Sequence, residues 1–125
     1  VKLKRPIVLF GTALLLIGMG VACQGGASEG EFTDGPGMLY FYSPDCPICQ
    51  SMKPIVDDLE DEYGREFEIV RVNVDRPQGE SRARAHGIIG QPSFLIFDNS
   101  NEEVRRLMGP QERQTLALAI QSTLE

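Results

Sequence analysis

Met38-Leu39-Tyr40-Phe41-Tyr42 is an unbroken apolar and aromatic run. Its lack of alternation predicts a central strand covered on both faces. From Pro47 to Tyr63 the pattern changes to a helical one. Met52, Ile55, Val56, Leu59 and Tyr63 recur every three or four positions, and Asp57, Asp58, Glu60, Asp61 and Glu62 fall mostly on the other side, as a solvated acidic face. Pro47 suits the start of a helix, where its missing N–H costs nothing, and Pro54 is expected to kink it. Phe67 to Val74 is rich in β-branched residues and reads as a second strand. A short helix follows within Arg76 to Ala85, ended by His86-Gly87. Phe94 to Phe97 is a strand, Asp98 to Asn101 a polar turn, and Glu103 to Met108 an edge strand returning as a hairpin. A last helix spans Gln111 to Leu124, with Leu116, Ile120 and Leu124 one turn apart. Strands alternating with helices place the chain in the α/β class.

The first part of the chain has a different character. Lys2, Lys4 and Arg5 flank an uncharged run from Ile7 to Ala22, so residues 1–22 read as a signal peptide or an uncleaved signal anchor. Residues 23–37 are rich in Gly, Ser, Glu and Asp, with one isolated aromatic, Phe32. They read as a flexible linker to a single domain over residues 38–125. Three of the twelve bases precede Cys23 and all eighteen acids follow it, which leaves nine bases against eighteen acids and a formal charge of −9. Such a surface argues against a nucleic-acid partner.

The candidate chemistry lies where the first strand meets the first helix. Ser43-Pro44-Asp45 ends the apolar run, and Cys46-Pro47-Ile48-Cys49 opens the helix. Residues three apart share a helix face, within the roughly 7 Å Cα separation that a disulfide allows. Unpaired N–H groups and the positive end of the helix dipole favour a thiolate at Cys46, so its pKa should fall below the free value of about 8.5. Cys46 is then the attacking thiol, and Cys49, one turn in and less exposed, the resolving one. Asp45 opposes the shift, since a neighbouring carboxylate disfavours a second negative charge. A structural disulfide or half of a metal site is the alternative. Zinc would need two more ligands, and only Cys23 and His86 remain among Cys and His.

The motif Phe41-Tyr42-x-x-x-Cys46-x-x-Cys49, together with Gln91-Pro92-Ser93-Phe94, resembles the thioredoxin family over roughly Met38 to Leu124. The resemblance implies a mixed central sheet of about four strands flanked by helices, with the N-terminal strand and helix of the full fold trimmed. It places Pro92 where the family has a cis-proline facing the cysteines. Gln91 then offers its backbone to an extended substrate segment, a short form of strand addition, and Gly109 stands where a glycine lets substrate approach. Tyr40 replaces a buried aspartate that serves proton transfer at the second cysteine, and Arg71 occupies a position where relatives carry a lysine. Tyr40, Arg71 and Asp45 are therefore candidate modulators. Tyr42 and Asp45 stand where tryptophans are usual. His86 is a weaker candidate, because exchange by a cysteine pair needs no catalytic base.

The implied activity is thiol-disulfide exchange on proteins outside the cytoplasm, with protein thiols and disulfides and a further redox protein as partners and no organic cofactor or metal. The inserts typical of cytochrome-maturation and oxidase members are missing, which favours a reductase or isomerase over an oxidase. A non-enzymatic binding or assembly protein of the same fold, with a structural disulfide, is the alternative. Separately, Leu16 to Cys23 resembles a bacterial lipoprotein signal, which makes Cys23 a candidate lipidation site. The domain would then be a monomer tethered to a bacterial envelope membrane.

Overall fold

The computed structural model describes residues 31–125. Residues 1–22, read from sequence as a signal peptide or signal anchor, and Cys23 lie outside the described residues. Four strands, β1 (Gly37–Tyr42), β2 (Glu68–Asn73), β3 (Ser93–Phe97) and β4 (Glu103–Met108), form one sheet in the order β2-β1-β3-β4. Strand β1 pairs parallel with β2 and antiparallel with β3, and β3 pairs antiparallel with β4. Three helices complete the order: α1 (Pro47–Tyr63) between β1 and β2, α2 (Pro77–Ala85) between β2 and β3, and α3 (Arg113–Leu124) at the end. This is a thioredoxin-like α/β fold with its N-terminal strand and helix trimmed, as expected.

Alternation along β1 divides the core in two. Met38 and Tyr40 face one side, where they join Met52, Val56 and Leu59 of α1 and Leu116 and Ile120 of α3. Leu39 and Phe41 face the other side, with Val72, Leu95, Phe97 and Ala83 of α2. Both faces of β1 are therefore covered, which explains why its sequence carries no polar alternation. Each large side chain removed from water contributes about 1.5–3 kcal/mol before the entropy of ordering it is counted. Helix α1 runs unbroken through Pro54. Helix α2 crosses the end of β2 so closely that a Cβ on Gly79 would lie 1.8 Å from the Asn73 carbonyl oxygen.

The acidic face of α1 is not simply solvated. Arg71 on β2 bonds Asp57 at 2.7 Å and Glu60 at 2.9 Å, and Arg113 of α3 pairs with Asp58 and Glu62. Four of its acids thus tie the helix to its neighbours.

Residues 31–36, read from sequence as the end of a flexible linker, are packed onto the domain. The Phe32 ring meets Phe97 with centroids 5.4 Å apart and joins the α2-side core. Glu31 pairs with Arg82, lies 2.8 Å from His86 Nε2, and accepts at its side chain while its backbone N–H donates to Asn101. The Thr33 N–H donates to the Glu68 carboxylate at 2.9 Å. A composition rich in Gly and Asp predicts a loop, and these contacts come from residues distant in sequence.

Candidate active site at the start of helix α1

Strand β1 ends at Tyr42, and the chain turns through Ser43-Pro44-Asp45 into α1. Buried Ser43 fixes the turn. Its hydroxyl donates to Asp75 at 2.6 Å, and its carbonyl accepts the Cys46 N–H at 3.2 Å. Cys46 is the N-cap of α1, with extended backbone at φ −84° and ψ 114°. Its sulfur accepts the Cys49 N–H at 3.2 Å, where a serine or aspartate oxygen commonly serves. The carbonyl of Cys46 opens the helical ladder by accepting from Gln50 at 3.0 Å.

Both cysteines are free thiols with unequal environments. Cys46 is half-buried and Cys49 only 2% exposed. Hydrogen bonds from the Cys49 thiol, then from the Cys49 and Ile48 N–H groups, hold the Cys46 pKa below the ordinary thiol value. Desolvation, then the hydrogen bond to Cys46, pushes Cys49 up to about 11, against a smaller opposing pull from the Ser43 backbone. A charge-ready thiol at the surface and a protonated one beneath it are what an attacking and a resolving cysteine require. Asp45 is exposed in the turn, where water screens its carboxylate.

The loop before β3 lies at the same end of the sheet. Ser93 pairs with Phe41 and with Met108, so Pro92, just before it, and Gly109, just after Met108, flank the end of β1 from which the cysteine turn departs. The Gln91–Pro92 peptide is cis. Pro92 is buried and its carbonyl accepts the Gly109 N–H at 2.8 Å, while Gly109 takes φ +79°, a conformation that favours glycine. Gln91 is exposed, and among the described residues its backbone joins none of the loop hydrogen bonds. Ile48 (49% exposed), Ile89 (86%) and Met108 (47%) are apolar side chains open to solvent at this end.

Tyr40 and Arg71 lie behind the pair. The Tyr40 ring stacks between Phe94 and Tyr42, at centroid distances of 4.9 and 5.4 Å, and its hydroxyl donates to the Cys49 carbonyl at 3.1 Å. Desolvation, then the nearness of Cys49, pushes the Tyr40 phenol up to about 12, so it stays neutral. Arg71 is held by Asp57 and Glu60, and with Tyr40 and Cys49 it lines a cavity of about 600 Å³. His86 does not join the site. It lies on the α2 side of the sheet, opposite the face that Tyr40 presents to α1, between Glu31 and the rings of Phe41 and Phe97. Among the described residues, no three His, Cys, Asp or Glu side chains converge as a metal site would, and no helix is long and apolar enough to cross a membrane.

Sequence reasoning missed the Ser43–Asp75 bond and the cavity behind Cys49. Neither has a local signal, since each joins residues from separate elements.

Comparison with known proteins agrees with this geometry. The thioredoxin family model matches residues 31–122. A thioredoxin of Pyropia yezoensis is 30% identical over 82 residues, which cover 66% of this chain and 74% of that protein. Thioredoxin 1 of a Nostoc species is 29% identical over 93 residues, covering 74% of this chain and 83% of its own. A solved mutant thioredoxin from Halobacterium salinarum superimposes with a TM-score of 0.66 at 27% identity, covering 74% of this chain and 77% of that one. With Cys46 capping the helix after its central strand and Cys49 in that helix's first turn, the chain belongs to the thioredoxin family.

Proposed function

We propose that the protein is a thiol-disulfide oxidoreductase acting on protein thiols and disulfides, with Cys46 attacking and Cys49 resolving. The observation that carries this reading is the Cys46 sulfur at the N-cap of α1, accepting the Cys49 N–H at 3.2 Å. In the reductive direction the Cys46 thiolate attacks a substrate disulfide, forms a mixed disulfide and releases one substrate thiolate. Cys49 loses its proton, attacks the Cys46 sulfur and releases the second thiolate. The substrate gains two electrons and the pair becomes a disulfide, to be reduced again by a separate dithiol protein. Gln91, Pro92 and Gly109 position the substrate segment beside Cys46.

A reductase or isomerase role fits better than an oxidase role, because only α2 and short connections separate β2 from Pro92. The sequence pattern of residues 1–23 supports a domain tethered on the extracytoplasmic side of a bacterial membrane, acting there as a monomer. Mass spectrometry of the native protein tests whether Cys23 is lipidated.

The test of exchange is turnover of a protein disulfide such as insulin by the purified chain. Cys46→Ser should abolish it, and Cys49→Ser should accumulate a mixed disulfide on Cys46. No turnover and no trapped species would instead favour a binding protein with structural cysteines. A reduction potential near ~−270 mV supports a reductant and one near ~−120 mV an oxidant.

A further inference from the structure

The geometry points to Tyr40 as a positioning residue for the second step of exchange, its hydroxyl holding Cys49 within reach of the mixed disulfide once Cys46 has reacted. The inference rests on the exchange reading above and adds to it a division of labour between the two steps.

The backbone of Cys49 is tied at both of its polar groups. Its N–H donates to the Cys46 sulfur at 3.2 Å and its C=O accepts from Tyr40 at 3.1 Å. The first tie depends on charge. A thiolate is a strong acceptor, whereas the same sulfur in a disulfide is neutral and a weak one. When Cys46 bonds to a substrate sulfur, the N–H tie therefore loosens at the moment Cys49 must approach. The Tyr40 bond involves no atom that reacts and persists.

Tyr40 is built to stay fixed. The residue is 2% exposed and its ring is stacked on Phe94 at 4.9 Å with an interplanar angle of 6°. The charged side chains around the adjoining cavity cannot replace it. Arg71 bonds Asp57 and Glu60, and Lys53 bonds Asp57, so they satisfy one another. Helix α1 also has a weak point close by: Pro54 gives no N–H to the Gln50 carbonyl, so the turn that carries Cys49 is less firmly laddered than most.

The two steps separate in a stopped-flow reaction of the reduced chain with 5,5′-dithiobis(2-nitrobenzoic acid). Attack by Cys46 breaks the reagent disulfide, forms the Cys46 mixed disulfide and releases one thionitrobenzoate. Attack by Cys49 on the Cys46 sulfur closes the protein disulfide and releases the second. Tyr40→Phe deletes one oxygen and keeps both stacks, and circular dichroism checks that it folds. The expected result is a first phase within twofold of the parent and a second phase slowed about fivefold, the loss of one hydrogen bond. The pH midpoint of the second phase should not move, since Tyr40 holds a position and carries no proton in the reaction. Tyr42→Phe, whose ring stacks on Tyr40 without reaching Cys49, should change neither phase.

Equal rates in Tyr40→Phe and parent would overturn the inference while leaving exchange intact. So would a slowing shared by both phases, or a shifted midpoint at an unchanged plateau. As a measurement that needs no variant, the second phase of the parent should rise with pH as a single thiol titration; a further step in the carboxylate range would assign the control of Cys49 to Asp57 or Glu60 and reject Tyr40. A parent that turns over no protein disulfide would fail the exchange reading itself.

Discussion

The Cys49 N–H reaches the Cys46 sulfur at 3.2 Å, so the buried cysteine helps hold the charge of its half-buried partner. The two thiols also share a hydrogen bond, which lowers the Cys46 pKa more than the N–H contact does and, after burial, raises that of Cys49. Iodoacetamide should therefore modify Cys46 first, with a rate that rises with pH around a midpoint below the ~8.5 of a free thiol. Cys49→Ala removes the thiol donor, the largest stabilising contact, and should move that midpoint upward. Mass spectrometry of peptides after timed alkylation reads both effects. A Cys46 midpoint at the free-thiol value in the parent would contradict the arrangement.

Ile48, Ile89 and Met108 expose apolar surface around the cysteine turn and the Pro92 loop. A protein substrate covers such surface and a small disulfide does not. Ile48→Asp or Met108→Asp should lower kcat/KM for insulin about tenfold, equivalent to about 1.4 kcal/mol, and leave the reaction with a small aromatic disulfide within twofold. Parallel assays with the two substrates check it.

Gly79 packs against the end of β2 with no room for a methyl group. Gly79→Ala should destabilise the domain by about 3 kcal/mol, because the Asn73 carbonyl belongs to a paired strand and cannot move freely. Urea denaturation measures the loss.

Glu31 holds the docked segment through Arg82 and His86. Burial acts to raise its pKa, but the hydrogen bonds and charges of Arg82 and His86 outweigh it, and the folded value lies below the model-compound 4.5. A carboxyl with a depressed folded pKa stabilises the fold above its unfolded pKa, and that contribution is lost as pH falls through the folded value. Glu31→Gln should thus cost about 1 kcal/mol at pH 7, with the difference from the parent shrinking in acid. Phe32→Ala should cost about 2 kcal/mol at both pH values. Thermal melts at pH 7 and in acid separate the two.

The run Met38 to Tyr42, the helical spacing over Pro47–Tyr63 and the cysteine spacing were readable in the sequence because each follows from near neighbours. All four strands and three helices arose from such patterns, and so did the position of Cys46 at a helix start. What could not be read depends on the fold bringing distant residues together. Phe32 looks like a stray aromatic until Phe97 is beside it. The acids of α1 look solvated until β2 presents Arg71 and α3 presents Arg113. His86 looks like free chemistry until Glu31 occupies it. For Tyr40, the substitution was visible, but its bond to the Cys49 carbonyl needs the turn of α1 to be placed over β1.

The docking of residues 31–36 also sets an orientation. Glu31 bonds Asn101 in the turn between β3 and β4, and Gly37 pairs with Phe97, both at the end of the sheet from which β1 sets out. The cysteines stand where β1 arrives. A pull applied to the chain at Glu31 would therefore act on one end of the domain, away from the cysteine turn at the other. A load on that end is carried by the Glu31 ion pairs and the Phe32 ring, so the domain can be held by its base without disturbing the thiols at its tip.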